Sequence, residues 1–415
     1  MNGDTQSITA PHPTAREVWH HVRTELRPKG RLLTSFNVIS GAVIAVGIVL
    51  VIIRFAFGLG SITNLSQAFP WGLWITFDVI TGVAFAGGAY VLTFMVYVLG
   101  IDRYKPILRA TILNAFLAYV FYAGAVLLDL GRPWHIANPI IGNSFGLSSV
   151  LFLVSWHFAL YMLTALVEFS PAIAEWLGLR RLRKLLGSLT FGAVIFGVTL
   201  STLHQSGLGA VFMMAKDKIF PLWYSEYIPV LFFVSSIFAG LSMVVFEGTI
   251  SERVFDHLIT SKSRLSRADI LVGLARICAG TMFVYLFLEV LSLTHSQTWR
   301  YLWSSMGLWF LVEVVGFVAV PCVFYVVALR QRNFLLIRIA AIMTMVGVVL
   351  NRMNIAIFAY RWDAPHHYIP SWMEVEVTLA IVFAEIWAFR WIVNRMPVLS
   401  DPPLWASEQP KHAST

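Results

Sequence analysis

The stretch ISGAVIAVGIVLVIIRFAFGLG (Ile39–Gly60) reads as one membrane-crossing helix whose single charge is Arg54. A hydrocarbon core about 30 Å thick needs roughly 20 predominantly apolar residues per helix, and this segment supplies them. Working outward, nine further apolar runs with Trp/Tyr or Gly/Pro flanks fall at 71–99, 108–129, 148–169, 187–205, 228–247, 270–291, 303–328, 334–354 and 373–395. The composition agrees. Of 415 residues, 58% are hydrophobic and 13% charged, against about 25% charged in soluble domains. Intrinsic disorder, which needs low hydrophobicity and high charge, is excluded. The expected fold class is an all-α polytopic membrane protein. Its divisions are a basic arm over 1–38, a ten-helix transmembrane domain over 39–395 and a tail over 396–415. The arm shows neither a short apolar core nor a cleavage site, so it does not read as a signal peptide. Its segment Ala15–Leu26 is expected to be solvated, with a helix lying on the membrane surface as the alternative.

Basic residues give the orientation. Twenty of the thirty Lys and Arg lie before the first span, in alternate loops or after the last span, and five lie on the opposite side. The remaining five are inside spans. An excess of +8 distributed in this way reads as topology rather than nucleic-acid binding. Both termini are therefore expected in the cytoplasm.

Ionisable residues inside a bilayer are costly and are functional candidates by default. With this topology, Arg54, Asp129, His204, Glu289 and Arg352 sit at the outer ends of outward-running spans. Asp78 and Glu376 sit near the outer starts of inward-running ones. Seven groups from seven helices are thus expected to share one outer pocket, together with Gln205, Asn351 and Asn354. Such a pocket offers the donors and acceptors that hold two quinone carbonyls and exchange two protons. Glu313 and Glu385 lie deeper, near His157, as a candidate proton relay. Ion pairs that only fix helix packing are the alternative for each residue taken singly. Arg276, Arg338 and Arg390, near the inner ends, read as snorkelling side chains.

Two cysteines, Cys278 and Cys322, exclude a disulfide framework and an iron–sulfur cluster held by this chain alone. A bis-histidine haem b needs two imidazoles at similar depth. Only His157 and His204 are well inside spans, and they differ in depth. No haem, cluster or metal is expected in this chain.

The segment RFAFGLGSITNLSQAFPWGLWITFD (Arg54–Asp78) resembles the NrfD/PsrC-type membrane subunits, specifically the HybB branch of respiratory nickel–iron hydrogenases. The likeness continues through LDLGRPW (Leu128–Trp134), LSTLHQSGLG (Leu200–Gly209), PLWYSEYIPVLFFVSS (Pro221–Ser236), FEG (Phe246–Gly248), NRMN (Asn351–Asn354) and YIPSWMEVEVT (Tyr368–Thr378). The resemblance implies ten helices arranged as two four-helix bundles plus two extra helices. It also implies a quinone-reactive anchor, with menaquinone or ubiquinone bound at the periplasmic end of the first bundle. The partners it implies are a periplasmic ferredoxin-like iron–sulfur subunit and a catalytic subunit. Carried over by motif, the quinone-binding and proton-exchanging positions are Asp78, Asp129, Arg132, His204, Gln205 and Arg352, beside the cationic anchor Arg54. Where the family pattern has a glutamate after SVLF, this chain has Leu153. His157, one helical turn later, is the candidate replacement, handing protons to Glu313 or Glu385 with Glu376 as a further relay candidate. Where the family often has an arginine before Glu289, this chain has Leu286. Two other readings stay open: a redox-independent proton or ion transporter, which needs no iron–sulfur partner, and a haem b cytochrome, which an absorbance spectrum would reveal.

Overall fold

The computed structural model describes residues 13–29, 32–136, 138–141, 149–259, 261–403 and 405. The expectations placed on Arg31, Lys411, the start of the arm and the end of the tail lie outside the described residues. No β-strand occurs among the described residues; the chain is built of helices. After α1 (Ala15–Glu25) come ten long helices: α2 (Ser35–Phe57), α3 (Trp74–Val98), α4 (Lys105–Asp129), α5 (Val150–Trp176) and α6 (Arg180–Met213), followed by α7 (Ile228–Val254), α8 (Ser261–His295), α9 (Ser305–Gln331), α10 (Phe334–Phe358) and α11 (Trp372–Val393). Among the described residues nine of these are long and apolar enough to cross a membrane. The other, α11, has the length but carries Glu374, Glu376, Glu385 and Arg390. The chain is an integral membrane protein of about ten spans.

Helices α3 to α6 pack as one group and α7 to α10 as a second, while α2 and α11 pair with each other and lean on α4. The two groups meet closely where α3 crosses α7. A Cβ on Gly240 would fall 1.9 Å from the Gly88 nitrogen, so the backbones touch there. Small residues at crossings replace the hydrophobic drive that lipid cannot supply. Within the α2–α11 pair, Trp387 Nε1 donates to Ser40 Oγ at 2.9 Å and Arg390 donates to Asn37 Oδ1 at 3.1 Å. Arg390 thus bonds across the pair in addition to any snorkelling. Arg338 similarly meets Glu252, at 3.6 Å.

Four described stretches wind as π-helix, and three of them carry a buried polar residue: Trp74–Thr81 holds Asp78, Val312–Ala319 holds Glu313, and Asn354–Phe358 begins at Asn354, whereas Phe94–Val98 buries only Met95 and Val96. π-turns interrupt the regular ladder and recur at functional sites. The segment expected as a free arm is instead helical and docked. Thr14 and Glu17 form a capping box at its start. His21 lies 5.6 Å from the Trp176 ring, and Arg395 Nε donates to the Glu25 carbonyl at 2.6 Å. The end of the bundle that carries α1 and most of the Lys and Arg is termed the basic end, and the other the far end.

Candidate functional site

Polar side chains near the far end fall into three groups, not one. In the first bundle, His204 and Gln205 project from α6 and are buried. His204 Nδ1 stands 3.2 Å from the Val154 carbonyl of α5. A carbonyl only accepts, so that contact places the proton on Nδ1 and leaves Nε2 with a lone pair. Nε2 is buried and has no protein partner. The ring packs between Tyr119 and Phe158, at 5.8 and 5.4 Å. Gln205 Nε2 donates to the Val83 carbonyl of α3 at 2.9 Å, which ties α6 to α3 and leaves the buried Oε1 unpartnered. On α3, Thr378 Oγ1 donates to Asp78 Oδ2 at 3.2 Å, while Asp78 Oδ1 and Thr76 Oγ1 are buried and unpartnered. Buried polar atoms in native proteins are almost always satisfied. Four unsatisfied ones lie on two joined helices, and three of the four are acceptors.

A second group is a clasp at the far end. Arg54 Nε donates to the Leu128 carbonyl at 2.7 Å, and its Nη2 donates to the Leu130 carbonyl. These are free carbonyls at the end of α4, which a cation satisfies well. Asp129 lies within electrostatic reach of Arg54 and Glu374, with Oδ1 buried and unpartnered. Glu374, buried at the start of α11, accepts from the Ser371 and Asn64 amides at 2.9 and 3.1 Å and from the Tyr368 hydroxyl. Tyr368 in turn accepts from the Leu73 amide at 3.0 Å. Burial and the neighbouring Glu374 carboxylate push the Tyr368 hydroxyl above its ordinary value, so it holds its proton and remains the donor. The clasp fixes the chain's entry into α3, and hence the position of Asp78.

The third group lies in the second bundle. Glu313 accepts from Trp223 Nε1 at 2.8 Å, from Asn351 Nδ2 at 2.6 Å and from Asn354 Nδ2. Arg352 donates to Asn351 Oδ1 and Ser235 Oγ, each at 2.6 Å, and lies 3.5 Å from the centroid of the Phe232 ring. Trp309 Nε1 closes the network on Asn354 Oδ1 at 2.9 Å. Beside it, Glu289, Tyr285 and Arg352 line a cavity of about 20 Å³, room for about one water.

The expected common pocket is therefore divided. Asp78, His204 and Gln205 belong to the first bundle, Arg54 and Asp129 to the clasp, and Arg352, Glu289 and Glu313 to the second bundle. Equal depth along different helices does not bring side chains together. Arg132 is exposed just past α4, and Glu376 is half-buried. His157 lies within electrostatic reach of His204, and no hydrogen bond joins it to Glu313 or Glu385. Glu385 instead accepts from the Tyr122 hydroxyl at 3.2 Å. Glu374 escaped the sequence reading although Ser371-x-x-Glu374 is a capping-box pattern. Tyr122 and Trp223 gave no signal, being ordinary aromatics in apolar runs. No group of three or more His, Cys, Asp or Glu is arranged to hold a metal ion among the described residues.

Residues 61–362 match the family of polysulphide reductase, NrfD. The chain is 41% identical over 375 residues to a protein of Nitratidesulfovibrio vulgaris, covering 90% of this chain and 96% of that one. It is 27% identical over 392 residues to the probable Ni/Fe-hydrogenase 2 b-type cytochrome subunit of Escherichia coli, covering 93% and 97% of the two. It is also 27% identical over 358 residues to the menaquinone reductase integral membrane subunit of Nitratidesulfovibrio vulgaris, covering 78% and 82%.

Proposed function

The chain belongs to the polysulphide reductase NrfD family, and on that premise we propose that it is the quinone-reactive anchor subunit of a modular respiratory oxidoreductase. In this reading the far end faces the periplasm of a bacterial cytoplasmic membrane, and the basic end, with both termini, faces the cytoplasm. A ferredoxin-like iron–sulfur subunit docks at the far end and links the anchor to a separate catalytic subunit. Two relatives, one named a probable Ni/Fe-hydrogenase 2 b-type cytochrome subunit and the other a menaquinone reductase integral membrane subunit, support the reading.

The observation that carries it is the set of unsatisfied buried atoms on α3 and α6: Thr76 Oγ1, Asp78 Oδ1, His204 Nε2 and Gln205 Oε1. A quinone headgroup, menaquinone or ubiquinone, supplies two carbonyls that become hydroxyls when it takes up two electrons and two protons. His204 and Asp78 are the groups here that take up or give up protons, while Gln205 and Thr76 orient. As acceptors they suit quinol hydroxyls directly; to donate to quinone carbonyls, His204 and Asp78 must first be loaded with protons.

His204→Ala tests the proposal in the purified complex. General acid–base groups contribute roughly 100-fold or more, so quinone-linked turnover is expected to fall at least that far. Reduction of an artificial dye by the partner subunits should be unchanged. Unaltered quinone turnover would make His204 a packing residue.

A further inference from the structure

We propose that the basic end of the first bundle holds an anionic phospholipid, its phosphate on Arg183 and Lys105 and its acyl chain in the cleft behind them. The inference stands apart from the quinone reading and needs only that the chain lies in a bilayer. A cavity of about 400 Å³ is walled by the end of α3, the start of α4, the end of α5 and the start of α6. Protein interiors close-pack and leave few voids larger than a water, whereas ligand pockets run to roughly 300–1,000 Å³. This cavity is of ligand size.

Its walls are divided as an amphiphile is. Lys105, Arg109 and Arg183 come from the opening turns of α4 and α6, at the level of the basic end, while Leu108, Ile112, Phe169 and Phe191 line the depth. At about 1.5 Å per residue Phe191 lies ~16 Å along α6 from Arg180. It is 57% exposed, on the side of α6 that meets lipid. The cleft thus runs from the headgroup level towards the hydrocarbon. Glu168, also in the wall, lies two turns of α5, ~10 Å, deeper than Glu175, which sets the acidic group of the ligand at the mouth.

The mouth suits a phosphate. Buried Glu175 accepts from Arg109 Nη1 and Nη2 at 2.7 and 2.9 Å and from Arg183 Nε at 2.7 Å. One carboxylate therefore fixes two guanidiniums on different helices and offsets one of their charges. The terminal nitrogens of Arg183 donate to no group among the described residues, and a guanidinium fork matches phosphate oxygens. Lys105 meets Asp102 at 2.9 Å, but the two side chains are 60% and 71% exposed, and such surface pairs contribute little. Arg180, Arg181 and Lys184 add three exposed cations beside Arg183, in a helix start with no acidic residue and no side-chain cap. Cations at the positive end of a helix are unfavourable, and an anion among them relieves the repulsion. Even with Asp102, Glu168 and Glu175 all ionised, these six cations leave an excess of three positive charges.

A phosphate group can come from the bilayer or from solution, and the shape of the cleft selects the bilayer. A free phosphate fills only the mouth and leaves the apolar depth without contacts, whereas an acyl chain fills it. A zwitterionic headgroup brings a cation of its own to a place already crowded with them, so the charges favour an anionic one. Basic pockets between transmembrane helices hold headgroups of this kind.

The test titrates the purified full chain, in neutral detergent, with phosphatidylglycerol, phosphatidylcholine or inorganic phosphate, and reads native mass spectra and thermal melting. Phosphatidylglycerol should be retained, and should raise the melting temperature, at a concentration at least tenfold below that needed for phosphatidylcholine. Inorganic phosphate should leave the melting temperature unchanged. Equal retention of the two lipids, or stabilisation by inorganic phosphate equal to that by phosphatidylglycerol, overturns the proposal. A cation beside an anionic headgroup is worth roughly fivefold in affinity, so Lys105→Gln and Arg183→Gln should each weaken phosphatidylglycerol binding about that far. Thr190→Phe fills the cleft, leaves every charge in place and should abolish the preference for phosphatidylglycerol. Should Arg183→Gln fail to fold, Lys105→Gln and Thr190→Phe decide, since neither side chain belongs to the Glu175 network. Weaker binding in both supports the site, and unchanged binding in either overturns it.

Discussion

The far ends of the two bundles hold similar residues and use them in opposite ways. In the second bundle every oxygen of Glu313 is engaged, by Trp223, Asn351 and Asn354, and Arg352 is held by Asn351, Ser235 and the face of Phe232, although its buried Nε has no partner. In the first bundle Asp78, His204 and Gln205 each make one bond and leave one buried atom without a partner. A closed network rigidifies and specifies a fold, whereas an open one costs free energy unless a ligand or water completes it. The difference teaches that burial and charge alone do not identify a site. What sets the first bundle apart is unspent acceptor capacity gathered on two joined helices.

The same chemical change, acid to amide, is expected to act differently on the two sides. The largest effect belongs to Glu313→Gln. The new amide keeps one acceptor oxygen and turns the other position into a donor that faces either Asn351 or the Trp223–Asn354 pair, and Arg352 loses its neighbouring carboxylate. Breaking such a buried charged network costs about 3–5 kcal/mol. The expected result is loss of folded chain from the membrane, read as yield and thermal stability of the purified complex. Normal yield and stability would dissolve the contrast between the bundles.

Asp78→Asn is next and should reverse the pattern. Asparagine keeps the volume and an oxygen for Thr378, so stability should change by less than ~1 kcal/mol. It cannot cycle a proton, and quinone-linked turnover should fall by roughly 100-fold. A destabilised but fully active variant would move Asp78 into the structural class. The smallest effect is expected in the clasp. Tyr368→Phe leaves the Leu73 amide and one Glu374 oxygen short of a partner, at about 1–2 kcal/mol. Turnover per folded complex should stay within about twofold, compared at equal occupancy by thermal melting and rate. A larger loss of rate would show that the clasp does more than hold the entry to α3.

Membership of a helical membrane fold was legible from Ile39–Gly60 onward, because a helix that meets lipid announces its length and apolarity in consecutive residues. Ten long helices lie close to the ten apolar runs, although α5, α6 and α8 extend well beyond them into polar turns. Helices do not stop at the lipid boundary, so hydropathy underestimates their length. The individual site residues were also visible, since an ionisable group in an apolar run stands out. Their grouping was not. Sequence gives depth along a helix, but whether Arg352 faces His204 or Glu313 depends on rotation and on which helix lies next.

What the sequence determined on its own is the set of spans, the division of Lys and Arg between the two ends and the inventory of polar groups that the bilayer must tolerate. Each follows from local composition. Only the tertiary structure decided that Arg54 caps α4, that Glu313 is saturated while Asp78 is not, and that Gly82 lets Tyr122 reach between helices to Glu385. Those facts depend on contacts between residues far apart in the chain, where a fraction of an ångström separates a satisfied group from an open one.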